Sequence, residues 1–434
     1  MQGLLVVLIF IILLFFNVPI AISLGIASLS YCLFISDIPV SMVIQSFTVG
    51  LDSFTLLAVP FFILAGDIMM FGGISRRLIN LARALLGAVS GALAVVTVLT
   101  SMVFAAISGS APATVACIGG ITIPEMVKEK YDEGFSCALA AAAGSLGPLI
   151  PPSLILIMYG IISQQSITTL FLAGIFPGIL VAIALAVFSV LVSKKYKFGL
   201  KDSPELQEQL KNQPKESAGK AFKEAVLSLV VPVIILGGIY GGIFTPTESA
   251  VIACVYALII GIFVYKEIKI SDIPKIFKRS LGTVGTVMIL VACATAFGRV
   301  LTMEQIPTKV AEAITSVTSN KIILLILINI LLLVVGCFME TLTAIIILTP
   351  ILLPVVTMVG VNPIHFGLIM GTNLVIGQCT PPVGVNLFVA ARIGRIKVER
   401  MFKWLLPFLA VLLLVQQLIT YIPGISLLLP NLMK

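Results

Sequence analysis

Charged residues are scarce in this chain. Only 11% of its 434 residues are Asp, Glu, Lys or Arg, whereas a soluble domain carries charges at roughly a quarter of its positions. Hydrophobic residues make up 59% of the sequence, and the mean hydropathy is +1.18. The composition therefore excludes an ordinary soluble globular protein and predicts a protein that lies within a membrane.

Histidine, paired cysteines and nucleotide-binding motifs are equally scarce. The single histidine, His365, falls in a predicted loop, at a different depth from Ser108 and Ser110, the serines that a protease site would need. None of the seven cysteines belongs to a Cys-x-x-Cys pair, and the chain has no Walker A motif. We therefore expect a protein that is not an enzyme and does not use ATP directly.

Basic residues exceed acidic ones, which gives a formal net charge of +8. A basic chain could bind nucleic acid, but here lysine and arginine cluster in short connections between apolar segments, as the positive-inside rule expects. The charge is therefore interpreted as a determinant of membrane topology, with the lipid bilayer as partner and no nucleic acid.

Long apolar segments follow one another along nearly the whole chain, and most reach the length that spans a bilayer. They occupy residues 4–16, 20–36, 54–75, 84–124, 135–162, 167–193, 226–244, 249–265, 282–304, 322–356, 364–391 and 404–430. Because lipid offers the backbone no hydrogen-bond partner, we expect these segments to be helices. The first lacks a basic n-region and a cleavage site, so it is interpreted as a retained helix and not as a signal peptide.

Two of these segments, 84–124 and 322–356, are too long for one ordinary span. Small or polar residues interrupt each near its middle, at Ser108-Gly109-Ser110-Ala111-Pro112 in the first and between Gly336 and Thr343 in the second. A re-entrant helical hairpin, which leaves the membrane on the side where it entered, explains both the length and the interruption.

Two further segments, 135–162 and 364–391, contain paired prolines in the patterns Gly147-x-x-x-Pro151-Pro152 and Gly377-x-x-x-Pro381-Pro382. Consecutive prolines remove two backbone donors, and the residue before a proline resists the helical conformation. Each helix is therefore predicted to break within the membrane, where unpaired carbonyl groups are costly. A bound cation, a substrate or water would pair them; the alternative is a proline kink repaired by neighbouring helices.

The interrupted segments recur at a constant spacing of 230 residues, which also matches Ser110 with Glu340. Each half then has the same predicted order: two helices, an interfacial arm (38–50 or 270–280), a helix, a hairpin, a broken helix and a helix. The chain is thus divided into a first repeat, a polar linker and a second repeat, 1–193, 194–224 and 225–434.

The predicted topology follows from the number of crossings and from charge. A hairpin returns to its own side, so each repeat crosses the membrane five times, and an odd number inverts the second repeat relative to the first. Basic residues flank the first hairpin, whereas the second is nearly free of them. We therefore predict that the first hairpin opens from the cytoplasm and the second from the periplasm, with the linker cytoplasmic and both termini periplasmic.

Glu340 is an acid near the middle of an apolar stretch. Carboxylates inside a membrane are costly and usually functional, although a structural ion pair or hydrogen bond is the alternative. Thr245-Pro246-Thr247-Glu248, in contrast, has the pattern of a helix capping box. Asp67 and Arg299 precede the two hairpins at roughly equivalent positions, and either could pair within the bundle.

Several of these patterns together resemble a known family. The Ser-Gly-Ser hairpin tip, the two Gly-x-x-x-Pro-Pro breaks, the run from Gly237 to Glu248 and the run Phe61-Phe62-Ile-Leu-Ala-Gly-Asp67 are similar to the large membrane subunit of TRAP (tripartite ATP-independent periplasmic) transporters, the DctM-like family. The resemblance covers essentially the whole chain. Each motif alone is weak, but the combination is specific.

The resemblance implies a protein of the bacterial inner membrane that works by an elevator mechanism driven by a sodium gradient. It implies two partners, a small four-helix membrane subunit on a separate chain and a periplasmic substrate-binding protein. Substrates of the family are organic acid anions such as C4-dicarboxylates and sialic acid, with sulfonates also possible. In relatives an aspartate often stands where this chain has Glu340.

On this basis sodium ions, two or more, are the expected coupling ions, and no other cofactor is expected. Backbone carbonyls should supply most of the ligands. The predicted sodium-binding residues are Ser108, Gly109, Ser110, Gly147, Pro148 and Ile150 at the first hairpin and break, and Gly336, Glu340, Gly377 and Thr380 at the second. The predicted substrate-binding residues are Ser108, Ser110, Ser153 and Glu340.

Two alternatives stay open. A stand-alone sodium/dicarboxylate carrier of similar hairpin architecture would not need a binding protein. An ion channel would show neither saturation nor a fixed sodium stoichiometry. Two hairpins that close opposite sides of one site favour alternating access over a channel.

Overall fold

The computed structural model describes residues 4–16, 18–74, 76–78, 80–81, 92–198, 218–309, 312 and 320–433. Within these ranges the chain is helical and has no β-strand, and eight helices are long and apolar enough to cross a membrane. The predicted class, an all-α polytopic membrane protein, is confirmed. The start of the first predicted hairpin (84–91) and most of the predicted linker (199–217) lie outside the described residues.

The first half contains nine helices among its described residues. Their bounds are α1 Leu4–Phe15, α2 Ile20–Phe34, α3 Val40–Val49, α4 Ala58–Phe71, α5 Ala92–Ser108, α6 (Ala111–Thr114, a π-helical turn Val115–Gly119, and Gly120–Lys128), α7 Glu133–Gly144, α8 Leu154–Ser163 and α9 Ile167–Lys195.

The described part of the second half also contains nine. Their bounds are α10 (Ala218–Pro232, a π-helical turn Val233–Gly237, and Gly238–Tyr240), α11 (Pro246–Ile259 and a π-helical turn Ile260–Val264), α12 Ile273–Met303, α13 Lys321–Phe338, α14 Thr341–Met358, α15 Pro363–Gly377, α16 Val385–Gly394, α17 Phe402–Tyr421 and α18 Pro423–Leu432.

Both predicted hairpins appear as pairs of helices separated by a short interruption. Helices α5 and α6 pack against each other, and the chain turns between them at Gly109, where φ is +57°. Helices α13 and α14 are separated by Met339 and Glu340, both with extended backbone. These two pairs are called hairpin 1 and hairpin 2 below.

Both predicted helix breaks are present as well. Residues 145–153 separate α7 from α8, and residues 378–384 separate α15 from α16. In each, the peptide bond between the paired prolines is cis. These non-helical stretches are called break 1 and break 2. The order of hairpin and broken helix is thus the same in both halves, while the inversion and the repeat boundaries stay predictions.

The helices that lead into the breaks form the centre of the packing. Every residue of α7 from Gly134 to Gly144 is buried, and so is every residue of α15 from His365 to Gly377. Many of these side chains are small, so neighbouring helices approach closely, as is common for helix packing within membranes. The breaks are therefore held at the ends of the most enclosed helices in the described structure.

Three predicted local assignments were wrong. His365 lies in the first turn of α15 and not in a loop, because Asn362 caps the helix by accepting a hydrogen bond from the Ile364 backbone N–H at 2.9 Å. The second interfacial arm is continuous with the helix that follows it, as α12. The last apolar segment is divided at Ile422, because Pro423 cannot continue the hydrogen bonding of α17.

Candidate functional site

The tip of hairpin 1 is a loop of small residues whose hydroxyl groups bond to one another. The Ser108 and Thr114 hydroxyl oxygens lie 2.9 Å apart, and the Thr114 hydroxyl donates to the Ser110 carbonyl oxygen at 2.8 Å. The positive φ of Gly109 is a conformation that residues with a side chain rarely adopt. These bonds fix the shape of the tip without a partner from another part of the chain.

Break 1 lies directly against this tip. A Cβ atom added to Gly147 would stand 2.7 Å from both the Ser110 carbonyl oxygen and the Thr114 hydroxyl oxygen. Only a glycine allows this approach of backbone to backbone. The structure therefore brings together the two parts of the first predicted sodium site, although ion binding there stays a prediction.

Break 2 lies in the same way against hairpin 2. A Cβ atom on Gly377 would stand 2.6 Å from the Gly336 carbonyl carbon. The Gly384 backbone N–H donates to the Cys337 carbonyl oxygen at 3.2 Å, and the Cys337 thiol donates to the Thr380 carbonyl oxygen at 2.9 Å. The two parts of the second predicted sodium site are thus also in contact.

Carbonyl groups without a donor are present in break 1 and on hairpin 2 beside break 2, as a cation site requires. Among the described residues, the carbonyl oxygens of Gly147, Ile150 and Gly336 accept no hydrogen bond. The Thr380 hydroxyl donates to the Ile376 carbonyl oxygen at 2.9 Å, which leaves its lone pairs able to accept a cation. Oxygen ligands of this kind suit a hard cation such as sodium.

Glu340 has a structural role that the sequence pattern did not indicate. It is the N-cap residue of α14, and its carboxylate accepts a hydrogen bond from the Thr343 backbone N–H at 3.2 Å. A carboxylate at this position also interacts favourably with the helix dipole. Ser110 is the N-cap residue of α6, but its side chain makes no capping hydrogen bond.

A cavity of about 500 Å³ lies between the two hairpin tips. Gly109, Ser110, Pro148 and Glu340 are the predicted site residues that line it. Ser108 and Ser153 do not line it. Ser153 is buried instead, where its hydroxyl caps α8 through the Leu156 backbone N–H and donates to the Pro148 carbonyl oxygen. The remaining predicted sodium-binding residues do not line the cavity either.

Several residues that line the cavity were not predicted. Gln378 and Thr341 are each 2% exposed, and neither the Gln378 side-chain carbonyl oxygen nor the Thr341 hydroxyl oxygen has a hydrogen-bond partner in the described structure. Leaving such buried atoms unpaired is costly, so a ligand or water is expected to satisfy them. The opposite wall includes Thr283 and Thr286 of α12.

The charge of the cavity wall is unbalanced. Among the described residues that line it, Glu340 is the only charged one. An anion in this space would therefore need a compensating charge, from a bound cation or from a basic residue nearby. Helix α6 also begins at the cavity, and its N-terminal end favours an anion, whereas the Glu340 carboxylate already caps the start of α14.

Comparisons with known proteins agree with this arrangement. The family model described as "Tripartite ATP-independent periplasmic transporter, DctM component" matches residues 7–425. The isethionate TRAP transporter permease protein DctMQ of Oleidesulfovibrio alaskensis is 48% identical over 409 residues, which are 94% of this chain and 63% of that protein. This chain therefore spans less than two thirds of that relative's length.

Two further proteins are similar over nearly their full lengths. The C4-dicarboxylate TRAP transporter large permease protein DctM of Pseudomonas aeruginosa is 41% identical over 410 residues, 94% of each chain. The crystal structure of the YdaH transporter of Alcanivorax borkumensis aligns with a TM-score of 0.64 over 90% of this chain and 89% of that one. Its sequence identity is 16%, so this likeness shows the fold alone.

Proposed function

The chain belongs to the DctM component family of TRAP transporters, and from that premise we propose that it is the transport subunit of a sodium-coupled importer for an organic acid anion. It is a multi-pass membrane protein, and its relatives are transporters and not enzymes. The proposal covers what goes beyond the family: the coupling ion, the elevator motion, the partners and the location of the site.

One observation carries the proposal. The cavity lies between the tips of two hairpins, and each tip rests on a broken helix. Since a hairpin tip is a small element that can move without unfolding a whole span, two tips around one cavity suit a site that opens to one side at a time. Transport through such a site is alternating access, in which one part of the molecule carries the cavity across the membrane.

Sodium coupling is supported by the carbonyl groups at the two breaks. The oxygens of Gly147 and Ile150 lie at break 1, and that of Gly336 lies against break 2; all three are without donors among the described residues. A sodium ion at each place would pair these oxygens and link a hairpin tip to its break. Ion binding would thereby hold the cavity in the form that accepts substrate.

The proposed partners are a small membrane subunit and a periplasmic substrate-binding protein, with the bacterial inner membrane as the location, the linker 194–224 in the cytoplasm and both termini in the periplasm. The named relatives transport isethionate and C4-dicarboxylates. Both are small anions with carboxylate or sulfonate groups. We propose a substrate from this chemical class, with sialic acid as a larger candidate.

Reconstitution tests the proposal. Proteoliposomes would contain this chain and its small subunit, with the binding protein outside and isethionate, succinate or sialic acid as labelled substrates. We expect saturable uptake of at least one acid that needs an inward sodium gradient and no ATP. Equal uptake with choline in place of sodium would contradict sodium coupling, and full uptake without the binding protein would favour the stand-alone carrier.

A further inference from the structure

The helix faces that line the cavity continue beyond it to a pair of charged residues. Thr283, Thr286 and Leu290 of α12 line the cavity. Residues three and four positions apart share one face of a helix, so Arg279 continues this face by one turn toward the start of α12. Ile63 of α4 also lines the cavity, and Asp67 continues its face by one turn in the same manner.

Asp67 and Arg279 bind each other between the two helices. The Arg279 Nε atom lies 3.2 Å from the Asp67 Oδ1 atom. The Ser280 hydroxyl donates to the Asp67 Oδ2 atom at 2.7 Å, so both carboxylate oxygens are engaged. The Asp67 side chain is 13% exposed and the Arg279 side chain 55%, so the carboxylate is enclosed and the guanidinium group opens outward.

The terminal nitrogens of Arg279 remain available. Among the described residues the ion-pair partner of this side chain is Asp67, which it contacts through Nε, and the side chain is 55% exposed. The guanidinium carbon lies 5.8 Å from the centre of the Phe71 ring, which supports the group from one side. A guanidinium held by Nε presents its two terminal N–H groups as a fork that matches a carboxylate or a sulfonate.

Arg279 carries a positive charge one helical turn from a cavity wall whose described residues have none. Glu340 is the only charged residue among the described residues of the cavity wall, and it repels an anion. Arg279, one helical turn beyond Thr283, is a basic residue that continues the wall, and it is the one that pairs with Asp67 of α4. Asp67 neutralises part of its charge while no other anion is present, which keeps an arginine tolerable beside the apolar wall.

We propose that Arg279 binds the carboxylate or sulfonate group of the transported anion as it moves between the cavity and the membrane face where α12 begins. Asp67 competes with the anion for the same guanidinium group. The inference rests on the proposed function, because it takes an organic anion as the substrate. It assigns a second anion-binding position, outside the space between the hairpin tips.

The test compares four forms of the full-length chain in nanodiscs of neutral phosphatidylcholine with saturating sodium. Isethionate and succinate are titrated calorimetrically into wild type, Arg279→Gln, Asp67→Asn and Arg76→Gln. Arg76 is the matched control, since it is an exposed arginine bound to a carboxylate, that of Glu267, at 2.7 Å, and it does not line the cavity.

We expect Arg279→Gln to raise the dissociation constant of the bound anion roughly tenfold, equivalent to about 1.4 kcal/mol. Asp67→Asn should lower it or leave it unchanged, because it removes the competing carboxylate, and Arg76→Gln should leave it unchanged. A purely structural ion pair would make the Arg279 and Asp67 variants change in the same direction. Equal weakening by both, or wild-type binding by Arg279→Gln, would overturn the inference.

Two additions keep the outcome decisive. Arg279→Lys keeps the charge but loses the fork, so it should bind with intermediate affinity even if the glutamine variant folds poorly.

Titrations repeated with anionic phosphatidylglycerol in the nanodiscs test for a lipid headgroup. If the tenfold effect of Arg279→Gln persists in phosphatidylglycerol, the substrate occupies the fork; if it disappears there, the headgroup occupies the fork and the proposal fails. If wild type takes up the anion in proteoliposomes and Arg279→Gln binds the anion as tightly as wild type, this inference is contradicted but the proposed function is not.

Discussion

Replacing Gly147 with alanine should separate hairpin 1 from break 1. The new Cβ atom would stand 2.7 Å from the Ser110 carbonyl oxygen and 2.7 Å from the Thr114 hydroxyl oxygen, where ordinary contact begins at 3.4 Å. The tip or the break must therefore move by about 0.7 Å. One of the two obstacles is backbone, which cannot rotate aside as a long side chain would.

The expected cost follows from this geometry. Inserting a methyl group into a closely packed site typically destabilises a protein by about 1–3 kcal/mol. Here the shift falls between the Ser110 carbonyl and the carbonyl of residue 147, two of the oxygens that the first predicted sodium site combines. We therefore expect Gly147→Ala to raise the sodium concentration for half-maximal uptake several-fold and to lower the thermal unfolding temperature.

The assay measures uptake in proteoliposomes as a function of external sodium, together with thermal unfolding of the purified protein. Gly120→Ala is the matched control, because Gly120 lies in hairpin 1 but its added Cβ atom would meet nothing within 4 Å. Alanine also favours a helix over glycine, so this control should unfold at the same or a higher temperature. Wild-type sodium dependence in Gly147→Ala would refute the placement of a sodium ion between the tip and the break.

Four further predictions follow from the same residues. Glu340→Gln keeps the cap of α14 through its amide oxygen but removes the charge, so uptake should fall sharply while the level of protein in the membrane is unchanged; normal uptake would show that the charge is dispensable. Thr380→Val should raise the sodium concentration for half-maximal uptake, and an unchanged value would remove this hydroxyl from the site. Thr245→Ala should cost about 1 kcal/mol of stability through loss of the capping box, with unfolding temperature measured and sodium dependence unaffected. A single cysteine placed in the linker 194–224 of a cysteine-free variant should resist an impermeant maleimide added outside intact spheroplasts, and labelling there would reverse the predicted topology.

The hairpins and breaks could be predicted because their signals are local. Paired prolines end a helix whatever surrounds them. A run of small and polar residues such as Ser108-Gly109-Ser110 interrupts an apolar segment, and this interruption is visible in the sequence without knowledge of the neighbouring helices. Gly147 and Gly377 belong to the same local patterns. Which element approaches them was inferred only from the repeat, and the structure supplies the partners.

The second wall of the cavity could not be predicted, because its signal is not local. Thr283 and Thr286 lie in an apolar helix, where threonine usually bonds to its own backbone, as the Thr286 hydroxyl does to the Gly282 carbonyl oxygen at 3.0 Å. Nothing in the sequence shows that this helix face meets a space between two hairpins. Gln378 directly follows Gly377 in the pattern Gly377-x-x-x-Pro381-Pro382, so its position was a usable signal for a polar side chain at the site.

The error at His365 has a simple physical origin. The prolines and glycines around Gly360 and Pro363 suggested a loop that continued through the histidine. Asn362 followed by Pro363 is also the pattern of a helix start, with an N-cap residue and a proline at the first helical position. The structure has a helix start at this position, and the His365 Nε2 atom lies 3.1 Å from the Thr420 carbonyl oxygen in the buried interior.

The two hairpin tips differ in a way that bears on how one cavity can hold both an anion and a carboxylate. The Glu340 carboxylate caps α14 by accepting a hydrogen bond from a backbone N–H. Its negative charge therefore already offsets the positive end of that helix dipole. Ser110 leaves the start of α6 without a side-chain cap, so this helix end is open to a ligand, although Pro112 contributes no N–H. An organic anion would therefore be held on the side of α6, away from Glu340, with sodium between the two carboxylates or beside them. We therefore predict that Ser110 and Glu340, the positions matched between the two halves, act differently, with the start of α6 attracting the substrate and Glu340 attracting the coupling cation.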